Sequence, residues 1–398
     1  MSTPQTLEDV CSHIVDCEHK TAPIDDSGQY FAVGTPAMRG NSINLAESRR
    51  INRDTFDLWT RRLRPQHGDL LFAREAPVGP IVRIPRDENV APGQRTVLLR
   101  PNPDIADTGY LYYLLSSPLQ QARIASTAAG STVAHLNVAD VRRFVLPLMP
   151  RMDEQRAIAE VLGALDDKIA ANTYLVNTSL QLADAQFVDA AAHSMLSDLT
   201  FADVADVGGG GTPKTKVEEY WGDEVTWATP TDVTALHGPY LRSTSRRITQ
   251  AGLDNCSSAL YPPGSILMTS RATIGAFAVA QKPMAVNQGF IVVNSKGDVP
   301  QWWLFHEMRR RVPEFVSHAN GATFLELSRG KFKNFHVHLA ATDVMQRFAE
   351  TADALHKRAA AAEAESASLA ATRDALLPLL MSGKVTVRDA ESIVEGVA

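Results

Sequence analysis

The chain repeats itself, and a sequence that resembles itself at a fixed offset of about half its length folds as two similar units rather than one. Thr6-Leu7-Glu8-Asp9-Val10 falls on Thr200-Phe201-Ala202-Asp203-Val204 at an offset of 194, and Gly34-Thr35-Pro36 falls on Ala228-Thr229-Pro230 at the same offset. The segment from Gly68-Asp69-Leu70-Leu71 to Pro77-Val78-Gly79 runs ungapped onto Gly264-Ser265-Ile266-Leu267 to Thr273-Ile274-Gly275, at an offset of 196. Gln94-Arg95-Thr96-Val97-Leu98-Leu99 meets Gln288-Gly289-Phe290-Ile291-Val292-Val293, and Tyr112-Tyr113-Leu114-Leu115 meets Trp302-Trp303-Leu304-Phe305. Gly130-Ser131-Thr132 meets Gly321-Ala322-Thr323, Phe144 meets Phe335, and Gln155-Arg156 meets Gln346-Arg347, all at an offset of 191. The blocks keep one order throughout, which coincidence does not supply.

Each repeat reads as a globular part followed by a long helix. The globular parts mix short strands (Thr96 to Leu99; Gly289 to Val293) with helical stretches (Tyr110 to Ala125; Trp302 to Val312) and turns such as Pro262-Pro263-Gly264. Residues 153–189 contain no proline, and Ile158, Leu162, Leu165, Ile169, Val176, Ala183 and Phe187 recur in heptad steps, with Asn172 and Ser179 in the remaining places. Such a helix is roughly 55 Å long. The second helix keeps the frame with Phe348, Ala352, Leu355, Ala359, Ala362, Ser366 and Leu369. Its alanines let helix axes approach closely, and a polar Asn172 on the seam suits the fixing of register. The fold class that follows is α+β: two pseudo-repeated globular domains separated by two long antiparallel helices packed as a coiled coil. The boundaries read as 1–150, a central helix and linker over 151–198, 199–340, and a second helix and tail over 341–398.

With 44% hydrophobic and 21% charged residues the chain is composed as a globular protein, neither disordered nor membrane-spanning. Met1 to Val10 has no basic stretch leading into an apolar one, so a cytoplasmic location is expected. Cys11, Cys17 and Cys256 are odd in number and scattered, which points to reduced thiols. A net charge of -6 argues at first sight against nucleic acid, which is bound through Lys and Arg. The average conceals a pattern, because Lys+Arg against Asp+Glu stand at 16 and 16 over residues 1–150 and at 14 and 12 over 199–340. The acidic excess sits in the helical segments, which leaves room for a locally basic surface on each globular part.

The run Gly208-Gly209-Gly210-Gly211-Thr212-Pro213-Lys214-Thr215 is one residue from a phosphate-binding loop, yet Pro213 stands where the second glycine belongs and removes an amide. A flexible turn, or contact with a DNA backbone through Thr212, Lys214 and Lys216, reads better. Arg74 and Arg271 each follow an apolar, strand-like run, from which they would project toward guanine or phosphate, or pair on the surface. Ser131, Thr132 and Thr323 follow glycines and suit phosphate contacts or turn caps equally. Arg242, Arg246 and Arg247 read as a solvated face, and Trp227 as core. Glu18-His19-Lys20 has the spacing of a metal-dependent nuclease, a common chance triplet. Cys11, Cys17 and His19 lack a fourth ligand for zinc, and Asn102-Pro103-Asp104 is not an aminomethyltransferase loop.

Three stretches carry a resemblance. Leu146-Pro147-Leu148-Met149-Pro150 to Glu154-Gln155-Arg156-Ala157-Ile158-Ala159-Glu160-Val161-Leu162, then Leu165-Asp166-Asp167-Lys168-Ile169, resembles the central helix and its entry in the specificity subunits of type I restriction-modification enzymes. Gly210-Gly211-Thr212-Pro213-Lys214-Thr215 to Glu219-Tyr220-Trp221-Gly222, then Trp227-Ala228-Thr229-Pro230-Thr231-Asp232, resembles the opening of that family's target-recognition domain. Leu376-Leu377-Pro378-Leu379-Leu380-Met381-Ser382-Gly383-Lys384-Val385 resembles its terminal segment. Two features depart from the pattern: Asp16-Cys17-Glu18-His19-Lys20-Thr21 replaces the Gly-Gly-Thr-Pro opening in the first domain, and Leu355-His356-Lys357-Arg358-Ala359 replaces the Leu-Asp-Asp-Lys-Ile signature in the second helix.

The resemblance implies a noncatalytic reader of double-stranded DNA, each globular domain a target-recognition domain for half of an interrupted, asymmetric sequence. It implies two methyltransferase subunits docked on the helices, and restriction/translocase subunits beyond them. S-adenosylmethionine, ATP and Mg²⁺ are expected in those partners and no cofactor in this chain. The residues expected at DNA are Lys20, Arg39, Arg74, Ser131, Thr132, Thr212, Lys214, Lys216, Arg271 and Thr323. Those expected at partners are Gln155, Arg156, Leu165, Asp166, Lys168, Gln346 and Arg347. A metal-dependent nuclease using Glu18 and Lys20, or a protein-binding adaptor, are the alternatives.

Overall fold

A computed structural model of the chain describes residues 5–128, 134–321 and 325–396, without the side chains of residues 39–41 and 193. The chain forms two compact units, residues 1–168 with 368–398, and residues 169–367. Among the described residues no helix is long and apolar enough to cross a membrane.

Both units open on the same device. The Thr6 N–H and hydroxyl both donate to Asp9 Oδ2 at 2.7 Å, and Thr200 and Asp203 repeat this at 2.8 and 2.7 Å, closing the first turn of a short helix. In the first unit four antiparallel strands follow in the order Cys11–Asp16, Thr96–Pro101, Leu70–Arg74 and Val78–Arg83. Leu70, Leu71, Phe72 and Ala73 are all buried, since this strand is central and covered on both faces. A smaller sheet holds Arg49–Ile51, Tyr30–Val33 and Val90–Pro92, the last two parallel.

The second unit repeats the order with Ala205–Gly208, Phe290–Ser295, Ile266–Thr269 and Phe277–Ala280, and adds Tyr240–Leu241 at the edge. Its smaller sheet holds Arg247–Ile248, Trp221–Ala228 and Met284–Val286, again with the last two parallel. An antiparallel pair, Met195–Thr200 with His336–Leu339, is reduced in the first unit to a single antiparallel bridge between Thr6 and Val145 among the described residues. Phe201, Trp303, Phe305, Phe315 and Phe332 fill the core beneath the larger sheet.

The structure refines the alignment in one place. The Gly93 N–H donates to Val33 O and the Asn287 N–H to Ala228 O, so Val33, not Gly34, is the partner of Ala228. Gly34 therefore holds the cap position that Thr229 fills in the second unit. The single helical stretches expected after each sheet are also each two helices. Thr108–Ser116 and Pro118–Thr127 break because Pro118 holds Ser117 extended, and Gln301–Arg310 gives way to Val312–Ser317 one residue before Pro313.

The long helices are Met152–Ala190 and Thr342–Met381, of 39 and 40 residues. Within the second unit Asn172 Nδ2 donates to Glu365 Oε2 at 2.8 Å, and the rings of Phe187 and Phe348 meet at 5.4 Å. Numbers rise along one helix as they fall along the other, so the pair is antiparallel. Ala352, Ala359 and Ala362 are buried on the seam, as their small size invites. His356, 1% exposed, takes the buried place expected of Leu355. Within the first unit Arg373 NH1 donates to Asp166 Oδ1 at 2.6 Å, and Leu162, Leu165, Leu376 and Leu380 are buried.

Candidate nucleic-acid interface

The two units carry one backbone arrangement at the ends of corresponding strands. In the first, the Arg74 N–H donates to Arg95 O at 2.9 Å and the Leu136 N–H donates to Arg74 O at 2.9 Å. In the second, the Ser270 N–H donates to Gly289 O at 2.8 Å and the Leu327 N–H donates to Ser270 O at 2.9 Å. The next residues, Glu75 and Arg271, are bridged to His135 and Glu326, and Ala76 and Ala272 follow in the left-handed region at φ 48 and 58. A third loop joins each head: the Thr21 hydroxyl donates to Gln94 Oε1 at 3.2 Å, and the Thr212 hydroxyl to Gln288 Oε1 at 2.6 Å.

Equivalent backbone positions carry different side chains. Glu75 occupies the place of Arg271, and Arg95 that of Gly289. In the first head Arg95 Nε lies 3.5 Å from Glu75 Oε1, with Arg95 half exposed. In the second, Arg271 NH2 lies 2.8 Å from Glu326 Oε1, both about two-fifths exposed. Arg95 is itself left-handed, at φ 69. That conformation costs a side-chain-bearing residue about 1–2 kcal/mol, and an exposed ion pair returns at most about 1 kcal/mol. Stability therefore gives no reason for an arginine here. A cavity of about 250 Å³ adjoins the first head, lined by Thr21, Thr35, Glu47, Arg49, Gln94 and Arg95 among others.

Arg74 is differently placed from Arg271. Its side chain is 11% exposed, Nε faces Asp16 at 3.4 Å, and NH1 donates to Leu136 O at 3.3 Å. The guanidinium braces the head from within, and its positional counterpart is Ser270. Lys20, Lys214 and Lys216 are exposed, as is Thr212, whose hydroxyl is engaged by Gln288. Ser131, Thr132 and Thr323 lie outside the described residues, as does the side chain of Arg39.

The glycine run is packed, which differs from the flexible turn that its composition suggests. The Gly209 N–H donates to Tyr261 Oη at 2.8 Å, and that hydroxyl donates back to Gly209 O at 2.6 Å. A Cβ on Gly210 would stand 1.8 Å from Val286 O, so only glycine fits. Trp227 is core, with Nε1 donating to Gly211 O at 3.1 Å. Arg242 and Arg246 are not simply solvated: Arg242 NH2 donates to Ala360 O at 2.9 Å, and Arg246 stacks 3.5 Å from the Trp221 ring. Glu18 Oε1 lies 3.0 Å from both Arg61 and Arg62, so a cation at this carboxylate would compete with two guanidiniums. Burial tends to raise the Glu18 carboxyl, but the paired arginines outweigh it and hold it below the usual range.

Along the helices, Arg156, Lys168, Gln346 and Arg347 are exposed, and Arg347 pairs with Asp343 at 2.9 Å. Gln155 and Leu165 are buried. Gln155 accepts from the Asp107 N–H at 2.9 Å and donates to Pro150 O at 2.9 Å, fastening the helix entry to the globular part. Asp166 accepts from Tyr113 Oη at 2.5 Å as well as from Arg373. Burial first, then this carboxylate, raises the Tyr113 phenol well above its usual range.

Sequence reasoning missed Glu75, Gln94, Arg95 and Glu326. The signal was present in the repeat, since the 196 offset sets Glu75 against Arg271 and the 194 offset sets Arg95 against Gly289.

Each unit is thus an α+β fold that carries one such loop head. The pattern of the family described as Type I restriction modification DNA specificity domain matches residues 6–179 and again 198–368, and the chain belongs to this family. It is 34% identical over 149 residues to the Type I restriction enzyme MjaIX specificity subunit of Methanocaldococcus jannaschii, covering 37% of this chain and 34% of that protein. It is 19% identical over 403 residues to the Type I restriction enzyme HindI specificity subunit of Haemophilus influenzae, covering 80% and 86%. The strongly matching stretch thus spans about a third of the archaeal relative. The fold is similar to the crystal structure of a Type-I restriction-modification system S subunit from M. genitalium, with a TM-score of 0.62 and 17% identity over 95% of both chains.

Proposed function

We propose that each unit reads one half of a gapped, asymmetric DNA target, and that the chain is the noncatalytic specificity subunit of a type I restriction-modification complex. The observation that carries this reading is the doubled head, where one backbone presents different side chains, as two unlike half-sites on one duplex require. Exposed Lys20, Lys214, Lys216 and Arg271 supply the contacts in this reading, phosphate contacts setting position and base contacts setting sequence. Two readers on one face of a duplex stand about 34 Å apart, and paired rigid helices suit a spacing of that order. Two methyltransferase subunits dock on the helices, where Arg156, Lys168, Gln346 and Arg347 are exposed, and restriction/translocase subunits join them. S-adenosylmethionine, ATP and Mg²⁺ belong to those partners. They transfer methyl to N6 of an adenine flipped out of the stack in each half-site, and cut DNA that lacks the mark.

Binding of duplex DNA by the complex with the methyltransferase subunit, measured between 50 and 200 mM salt, tests this reading. If 6–10 phosphates are contacted, affinity falls by about 10³ to 10⁵ over that range. A salt-insensitive response favours the adaptor, and Mg²⁺-dependent cleavage by the purified chain alone favours the nuclease.

A further inference from the structure

The two heads share more than backbone, because each contains one exposed arginine held by one carboxylate. The arginine comes from a different loop in each. In the first unit it is Arg95, on the turn after Val90–Pro92, facing Glu75 through Nε. In the second it is Arg271, in the position of Glu75, facing Glu326 on the returning segment. Both pairs sit beside a left-handed alanine, and Arg95 is left-handed too. Among the described residues four non-glycine side chains have positive φ, and three of them are in these heads. Backbone held in a sparsely populated region by its surroundings marks functional loops more often than packing ones. In each head a glutamine, next to Arg95 in the first and next to Gly289 in the second, lends its oxygen to a threonine hydroxyl, and its amide –NH₂ carries further donors.

Arginine is the side chain that pairs bidentately with the O6 and N7 edge of guanine, and it discriminates best when its fork is held in place beforehand. The carboxylate does that holding. Contact through Nε leaves both terminal nitrogens of Arg95 uncommitted among the described residues, and the contact through one terminal nitrogen of Arg271 leaves that nitrogen's second hydrogen together with the other terminal nitrogen, the two donors a bidentate pairing needs. We infer that Arg95, positioned by Glu75, and Arg271, positioned by Glu326, each reads one guanine in the major groove, one in each half-site. The inference rests on the two-reader reading above. Because the arginines stand on different loops of one scaffold, the two guanines occupy different places relative to the gap. The neighbouring Gln94 and Gln288 donate to an acceptor on the adjoining base.

The experiment is sequencing of N6-methyladenine in cells that carry the methyltransferase subunit with either the wild-type chain or one variant. Arg95→Gly removes the side chain and suits the φ of 69 better than alanine does; Arg271→Ala removes the other. Each is expected to relax one G·C position, with discrimination there falling about 5- to 150-fold, while the other half-site keeps its sequence. Glu75→Gln and Glu326→Gln relax the same positions more weakly, since they act through the arginines. An unchanged motif in either arginine variant overturns the assignment. So does a uniform loss of methylation at every target from a complex that still assembles and melts as wild type. If the wild-type chain itself directs no two-part motif, the two-reader reading fails first and the assignment falls with it.

Discussion

Removing residues 167–173 together with 364–370 is expected to shorten the gap between the half-sites of the proposed target by about three base pairs and to leave the half-site sequences unchanged. The lesion is chosen from the pairing of the helices. Asn172 and Glu365 leave together, so neither polar group loses its partner inside the seam, while Asp166 keeps Arg373 and Glu363 keeps the Gly238 N–H. Seven residues preserve the heptad frame of both helices to within about 20° of rotation. At 1.5 Å per residue the loss is about 10.5 Å of spacer, or three steps of a duplex that rises about 3.4 Å per base pair. Three steps also turn the duplex by about 100°, so methylation of the new target is slower than that of the original. Mapping methylated adenines in cells carrying the shortened chain gives the gap directly. An unchanged gap means that the helices do not set it.

Acid is expected to destabilise the second unit from just below neutral pH, before most carboxylates titrate. Tyr240, His356 and His306, all buried, form one hydrogen-bonded chain that ends on the partly exposed Asp184. His306 Nδ1 lies 2.7 Å from Asp184, His306 Nε2 lies 3.0 Å from His356 Nε2, and His356 Nδ1 lies 2.8 Å from Tyr240 Oη. The chain is satisfied when Tyr240 donates to His356, His356 to His306 and His306 to Asp184, with both rings neutral. A proton added to His306 would set two hydrogens between nitrogens 3.0 Å apart. Burial pushes His356 down to about 3, with the neighbouring His306 and Arg309 adding to the effect, and the Trp302 ring is stacked on it at 3.7 Å. Burial lowers His306 as well, against the pull of Asp184.

The sign follows from proton counts. Below about 6.5 the unfolded chain binds more protons at these two histidines than the folded chain does, so the stability these groups confer is complete at neutral pH and falls with pH. His356, held near 3, contributes up to about 1.4 kcal/mol per pH unit below 6.5, and His306, lowered as well, adds in the same direction. Glu363, raised by burial, opposes this in part, because its folded form takes a proton earlier than the unfolded one. Urea unfolding of the full chain from pH 7.5 to 5 measures the slope, and His356→Gln flattens it. A profile that is level from 7 to 5 contradicts the neutral network.

The two units were legible because repetition survives wherever packing is shared. Thr6 and Thr200 cap the same turn, and Leu70 and Ile266 begin the same buried strand. The long helices were legible from heptad spacing, down to Asn172, which sits buried with a partner. What escaped is what depends on contacts distant in sequence. Gly210 reads as a loose turn until Val286 is placed against it, and His356 reads as a defect in a seam until Tyr240 and His306 meet it. Arg74 drew attention as an arginine after a strand, although Asp16 and Leu136 occupy it. Arg95 was hidden because no periodicity announces a left-handed arginine, and because its counterpart is a glycine. Chemical identity guided the choice of candidates where position in the repeat was the better guide.

In the proposed function this chain gives a methyltransferase a two-part address. The direct measurement is the pattern of N6-methyladenine across a host genome, with the methyltransferase subunit present and this chain either supplied or absent. A motif of two unlike half-sites with a fixed gap, present only when the chain is supplied, is the expected result. Methylation that is the same with and without the chain, although the chain is shown to assemble with the methyltransferase when supplied, would overturn the proposed function.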